Sequence, residues 1–329
     1  MANPHNYVLE PAAQAFCEAT SKPPFLFELP PSEGRAAVEK VQDDPISKPD
    51  VDEEWIEVDS PKTKGKVKVR ILKPKGAKGT LPVVFYTHGA GWVFGSAHTH
   101  DRLARDLCVG TGYAVVFPEY TLAPDARYPV QNEQSYAAAV WVVKNGKEKG
   151  LDGSRMAISG DSVGGNMAIV LNIMAAERND GVQFKAAALF YPVTDANFET
   201  GSYNEFAKGY FLAKDGMKWF WDQYIPPGNE SQRKEPTASP LQASEAQLKK
   251  FPPTLVITAE CDVLRDQGEA FAGKLRGAGV EVTAVRYGGI IHDFVMVNSM
   301  HVTNAAKSAV RQAVVFIKDV IGGDDKKKQ

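Results

Sequence analysis

Six short, almost wholly apolar runs decide which class of fold is open to this chain. They are PVVFYTH (82–88), YAVVFPEY (113–120), MAISG (156–160), AAALFYP (186–192), TLVITAE (254–260) and EVTAVRY (281–287). Helical stretches lie between most of them, among them 131–147, 163–178 and 264–278. Strands that are apolar on both faces and alternate with helices require a mostly parallel sheet covered on both sides, an α/β architecture. Just upstream, EWIEVDS and KVKVRILKP alternate polar and apolar residues with the period of half-solvated strands. They place an antiparallel edge before the parallel part.

Two segments stand outside this rhythm. Residues 1–50 are helical in places (EPAAQAFCEAT) but broken by prolines in SKPPFLFELPPSEG. Residues 197–250 carry the aromatic-rich helical stretch SYNEFAKGYFLAKDGMKWFWDQYIPP. An insertion of this size beyond the strands reads as a lid rather than as a second domain. The expectation is a single domain over 1–329, with a solvated tail over 323–329.

MAISGDSVGGN (156–166) holds Gly160, Ser162 and Gly164 in the spacing G-x-S-x-G. An apolar strand enters it and a helix leaves it directly, which is the context of a nucleophile elbow, a turn too tight for side chains at either glycine. Ser162 then stands above the sheet edge at a helix N-terminus, where developing negative charge is favoured. Taken alone, the motif also fits a serine that only caps its helix.

A serine nucleophile needs a base, and the base needs an orienting group. Behind such an elbow the chain order is Ser, then Asp or Glu, then His, at the ends of later strands. TLVITAECDVLRD offers Glu260, Asp262 and Asp266, and AVRYGGIIHDF offers His292 after the next strand. Asp262 is best placed, in the turn before a helix. Glu260 stands too near the strand end to turn back, and Asp266 falls a turn into the helix, where its charge suits the N-terminus. His88, His98 and His100 precede Ser162, against the order, and His301 is expected on the C-terminal helix as a surface or packing residue. HTHD (98–101) reads as polar capping of a helix start rather than as metal ligands.

Attack by Ser162 on a carbonyl creates an oxyanion that needs donors aimed in advance. The backbone N–H of Val163 follows the nucleophile, and the glycine-rich loop after an earlier strand, FYTHGAGWVFGS (85–96), is placed to supply the others.

With these residues in order, the chain from about residue 50 resembles the hormone-sensitive-lipase-like group of α/β-hydrolases, microbial carboxylesterases with an HGGG-type motif. The resemblance is carried by HGAGWVFGS, PEYTLAPDARYP, GDSVGGN, GYFLAKDGM, DVLRDQGE and IIHDF. It implies Ser162 as nucleophile, His292 as base and Asp262 as its orienting acid. It also implies an oxyanion hole at Gly89, Ala90, Gly91 and Val163, with Gly89 shaping the loop and the other three donating N–H groups. The lid of this group comes in two pieces, here about 1–45 and 197–226. Phe25, Phe27, Trp92, Tyr210, Phe211 and Trp219 thereby become candidates to line a substrate pocket, with Phe25, Trp92, Tyr210 and Phe211 the expected substrate-binding set. Three departures stand out: HGAG for HGGG, HDF for HGF, and PEY where an aspartate commonly precedes the tyrosine. Asp293 in HDF either adds negative charge beside the base or faces solvent. The Asp161 carboxylate is expected to stabilise loops.

Composition narrows the partners. The formal net charge is −2, with no basic field to attract nucleic acid or an anionic membrane. Cys17, Cys108 and Cys261 form no metal-ligand or CxxC spacing and fit a reducing compartment. No secretion signal or membrane span is read, so the expected location is cytoplasmic. The expected activity is hydrolysis of small to medium, fairly apolar esters, with no metal or organic cofactor. An amidase, lactonase or acyltransferase would share the same acyl-enzyme chemistry, and a receptor that only binds would require a damaged triad. A homodimer, common in the group, is left open.

Overall fold

The structure, a computed structural model, describes residues 1–43 and 45–326, with 323–326 described by their backbone. The two alternating runs form β1 (Val51–Ser60) and β2 (Gly65–Pro74), paired antiparallel. The six apolar runs form β3 (Leu81–Thr87), β4 (Ala114–Glu119), β5 (Leu151–Asp161), β6 (Phe184–Phe190), β7 (Thr254–Cys261) and β8 (Val282–Ile291). All belong to one eight-stranded sheet in the order β1-β2-β4-β3-β5-β6-β7-β8. β2 meets β4 antiparallel, and every later pairing is parallel. The expected α/β sheet with an antiparallel edge is therefore present.

The helices are α1 (Pro11–Ala19), α2 (Pro31–Val41), α3 (Asp101–Thr111), α4 (Val130–Asn145), α5 (Val163–Arg178), α6 (Gly201–Glu205), α7 (Lys214–Tyr224), α8 (Glu230–Arg233), α9 (Glu245–Leu248), α10 (Arg265–Gly277) and α11 (Asn304–Lys326). Of the tail read over 323–329, residues 327–329 lie outside the described residues. His301 sits in a turn before α11 rather than on it.

The apolar runs have a simple cause. Successive strand residues point to opposite faces. In β3, Val83 and Phe85 join the core shared with α4, α5 and α10, while Val84 and Tyr86 join the core shared with α3 and α11. With both faces covered, neither set can be polar.

Because β3 to β8 run parallel, their C-terminal ends emerge along one edge of the sheet. The N-terminal segment and the α6–α7 region pack together above that edge. Phe16 of α1 meets Phe211 edge-on with ring centroids 4.9 Å apart. From α2, Arg35 donates to the backbone carbonyls of Val93 (3.0 Å) and Ala123 (2.9 Å). Gln42, just past α2, donates to the carbonyls of Thr99 (2.6 Å) and Met296 (2.9 Å).

Candidate active site

The elbow is built where β5 turns into α5. Ser162 lies at φ 53° and ψ −121°, a conformation that costs a non-glycine residue about 1–3 kcal/mol. Its N–H donates to the carbonyl of Phe190 (2.9 Å), and its carbonyl accepts from Asn166 (3.1 Å) and Val193 (3.1 Å), which hold the turn. The flanking glycines are there for close approach: a Cβ on Gly160 would lie 2.4 Å from the Gly164 carbonyl oxygen, and one on Gly164 2.1 Å from that of Thr87.

Three side chains from three strand ends meet at this turn. His292, the first residue past β8, places Nε2 2.9 Å from Ser162 Oγ and Nδ1 2.7 Å from Asp262 Oδ2. Asp262, just past β7, accepts the N–H of Leu264 on its other oxygen (2.9 Å). A carboxylate facing Nδ1 accepts its proton in either charge state of the ring, and Nε2 can accept from the serine hydroxyl once the ring is neutral. All three residues are buried, at 4% exposure or less. Burial works against a charged His292, but the charges of Asp262 and then Asp293 outweigh it and raise its pKa to about 9. The other acids are engaged elsewhere: Glu260 accepts from Gly289 N–H (2.7 Å) and Asp266 from Ser202 N–H (2.7 Å).

The glycine-rich loop after β3 approaches from the other side. Ala90, Gly91 and Trp92 are all left-handed, at φ 74°, 70° and 60°. Among the described residues, no acceptor is taken by the backbone N–H groups of Ala90, Gly91 or Val163. Gly89 differs, because its N–H is spent on Asp161 Oδ1 (3.0 Å), so it shapes the loop and is not a free donor. Asp161 also accepts from the Tyr86 hydroxyl (2.6 Å) and faces His100 Nε2 (3.2 Å). Contrary to the capping read from HTHD, His100 makes no side-chain cap to α3 and is wholly buried in this network. His88 stacks on Tyr120 (4.2 Å) and donates from Nδ1 to the Gly89 carbonyl (2.9 Å). Burial, with His100 nearby, lowers the His88 pKa to about 3, so it is neutral. Chain order sets His88 and His100 apart from the base, yet both brace the loop and the elbow. The aspartate of GDS was the available signal.

A cavity of about 250 Å³ opens above Ser162 and His292. Its walls include Phe25, Phe27, Phe211, Met217 and Phe220, with Ala90, Gly91 and Asp293 at the reacting end. Phe25 and Phe211 are thus where a pocket-lining residue should be. Trp92 and Tyr210 are not. Trp92 is fully buried behind the loop, stacked on Tyr224 (4.0 Å) and edge-on to Trp221 (5.0 Å). The Tyr210 hydroxyl donates to Asn3 Oδ1 (2.9 Å), fastening the N-terminus. Trp219 packs on Phe94 (5.8 Å). Among the described residues, no group of three or more His, Cys, Asp or Glu is arranged to hold a metal ion, and no helix is long and apolar enough to cross a membrane.

Comparison with known proteins agrees with this geometry. Residues 84–296 match a family described as having the alpha/beta hydrolase fold. A thermostable esterase from Pseudomonas putida superposes with a TM-score of 0.90 at 44% identity, over 98% of this chain and 99% of that one. An esterase of the fungus Rhizomucor miehei superposes at 0.89 with 36% identity, over 96% and 97%. An ethyl acetate hydrolase of Pseudomonas putida is 36% identical over 237 residues, 70% of this chain and 72% of that one.

Proposed function

This chain belongs to the α/β-hydrolase-fold family, among its carboxylesterases, and from that premise we propose that it cleaves small to medium, fairly apolar esters through an acyl-enzyme on Ser162. The observation that carries the reading is the relay from Ser162 Oγ to His292 (2.9 Å) to Asp262 (2.7 Å) on the floor of an apolar cavity. His292 Nε2 takes the hydroxyl proton as Oγ attacks the ester carbonyl, while Asp262 keeps the Nδ1 proton in place and stabilises the imidazolium. The oxyanion accepts from the N–H groups of Ala90, Gly91 and Val163, each worth about 3 kcal/mol of barrier. Collapse expels the alcohol, which takes the Nε2 proton. Water then gives a proton to Nε2 as it attacks the acyl carbonyl, and the second intermediate releases the acid and restores Ser162. Relatives named esterase and ethyl acetate hydrolase support the ester class and the small end of the size range.

In the same reading, residues 1–45 and 197–226 act as a lid over the cavity of a single domain. The enzyme works in the cytoplasm, which suits its buried free cysteines. The open edge of β8 is where a second copy would add, a pairing that size-exclusion chromatography would reveal.

Two measurements test the activity. A fluorophosphonate should label Ser162 stoichiometrically; an unlabelled serine would make the protein a binder on this fold. Among p-nitrophenyl esters, acetate to hexanoate should exceed palmitate in kcat/KM by about tenfold or more, since lengthening a chain in a closed apolar pocket costs such factors. A preference for long-chain emulsions would overturn the size range. Ala90 already occupies a left-handed position beside the cavity. Ala90→Gly keeps the N–H and removes one methyl, so acyl preference should shift by about three- to tenfold while turnover of the best ester stays nearly constant. Loss of all turnover would make the methyl a structural requirement.

A further inference from the structure

The mechanism leaves a buried charge beside the reacting atoms without a task. Asp293 follows His292 directly, in a left-handed conformation (φ 62°). Its carbonyl accepts from Met296 and Val297 (both 2.9 Å), which fixes that turn. Its Oδ1 lies 3.3 Å from His292 Nε2, with the side chain 8% exposed and lining the cavity. No described group donates a hydrogen bond to that oxygen.

We propose that Asp293 is a positioning residue that holds His292 in its protonated form, so that the resting enzyme is inhibited toward acid pH and gains turnover as the base is freed. The inference rests on the reading of His292 as the base. It follows from where the two carboxylates stand. Asp262 addresses Nδ1, which carries a proton in both states of the ring. Asp293 addresses Nε2, which presents a lone pair when the ring is neutral and an N–H when it is charged. The first contact is repulsive and the second attractive, so Asp293 discriminates between the two states. Nε2 is directed at Ser162 Oγ, so Asp293 acts by charge across 3.3 Å rather than through a formed hydrogen bond.

The remaining charges around this pair are fixed by the fold. Asp161 at the end of β5, His100 before α3 and Asp262 after β7 all bear on Asp293. The Tyr191 ring stands edge-on to His292 (4.7 Å). Arg102 of α3 donates to the carbonyls of Val295 and Met296 in the same loop, and Lys22 lines the cavity from the N-terminal segment. Burial raises the Asp293 pKa above the usual carboxylate range, against the pull of His292, while the carboxylates of Asp262 and Asp293 outweigh burial and raise that of His292. Where both are charged, the two form an ion pair. The free enzyme must therefore release one proton from Nε2 to solvent before Ser162 can give up its own. During attack the same carboxylate favours the imidazolium that forms, so its removal should cost rate where the base is already free.

The test is kcat/KM against pH for the wild type and Asp293→Asn. Asparagine keeps the size and tolerates the left-handed backbone. In the wild type the acid limb, which reports the free enzyme's base, should lie above pH 7. In Asp293→Asn it should move down by about one unit and the alkaline plateau should fall, so that the rate relative to wild type is about tenfold higher near pH 6 than on the plateau. Coincident limbs, or a uniform loss at every pH, would overturn the proposal. A second readout separates it from the assigned activity: NMR titration of the His292 ring in Ser162→Ala, with and without Asp293→Asn. A lowered midpoint in a protein whose parent hydrolyses no ester would sink the esterase reading and keep this one. An unchanged midpoint in an active esterase would do the reverse.

Discussion

Ser162→Ala is expected to lower kcat on a p-nitrophenyl ester by about 10⁵- to 10⁶-fold, the loss seen when the nucleophile of such a relay is removed. The fold should not feel it. Alanine keeps the Cβ that serine already carries at φ 53°, so the strain of the elbow is unchanged, and the backbone bonds to Phe190, Asn166 and Val193 are retained. What disappears is one hydrogen bond, from Oγ to His292, worth about 1 kcal/mol net. A thermal melt should therefore move by only a few degrees. Some rate above background should survive, because the loop and Val163 N–H groups proposed to hold the oxyanion are untouched. Initial rates with purified variants decide it: activity within tenfold of wild type would remove Ser162 from its role. Glu260→Gln and Asp266→Asn serve as controls, since both carboxylates are committed to backbone N–H groups away from the base.

The parts of this molecule that were legible in the sequence share one property: their signal is local. β3 to β7 are covered on both faces, so their runs are apolar without interruption and hard to mistake. The elbow declares itself because three backbones crowd one turn, and glycines are the residues that fit. Strand ends then order Asp262 and His292 along one edge of the sheet. The illegible parts depend on segments far apart in the chain. Whether an aromatic of α7 or its neighbourhood faces the cavity depends on how residues 1–43 seat against it. Tyr210 is held by Asn3, and Trp92 stacks on Tyr224 and meets Trp221 edge-on. No periodicity within one helix contains that information. The same holds for His88 and His100, whose partners are the Gly89 carbonyl and Asp161. Asp293 was visible as a departure, but its direction, toward the base rather than toward solvent, follows from a turn fixed by bonds to Met296 and Val297.

Gly91→Ala should be the most damaging single methyl in the loop, lowering kcat/KM by about 10²- to 10³-fold, the loss of one well-aimed oxyanion donor. The backbone conformation is not the main obstacle, because Ala90 already carries a methyl at φ 74° next door. The obstacle is Phe220 of α7. A Cβ on Gly91 would lie 2.1 Å from its ring, so either the ring or the loop must move. The ring is hemmed in by Phe94, edge-on at 5.5 Å, and by Trp219 at 5.3 Å. Phe94 in turn sits where a Cβ on Gly34 of α2 would be, 2.5 Å away, so the N-terminal helix backs the same stack. With the ring confined, the loop yields, and the N–H of residue 91 turns from the oxyanion. Phe220→Ala alone removes a cavity wall and should act mainly on KM. Combined with Gly91→Ala, it removes the clash and should recover about tenfold or more in kcat, a non-additivity that only residues in contact produce. A double variant no better than Gly91→Ala would show that backbone strain at φ 70°, and not the Phe220 ring, sets the requirement for glycine. Recovery would mean that α7 and the loop proposed to hold the oxyanion are one mechanical unit, so a residue of that helix reaches the chemistry without touching the reacting atoms.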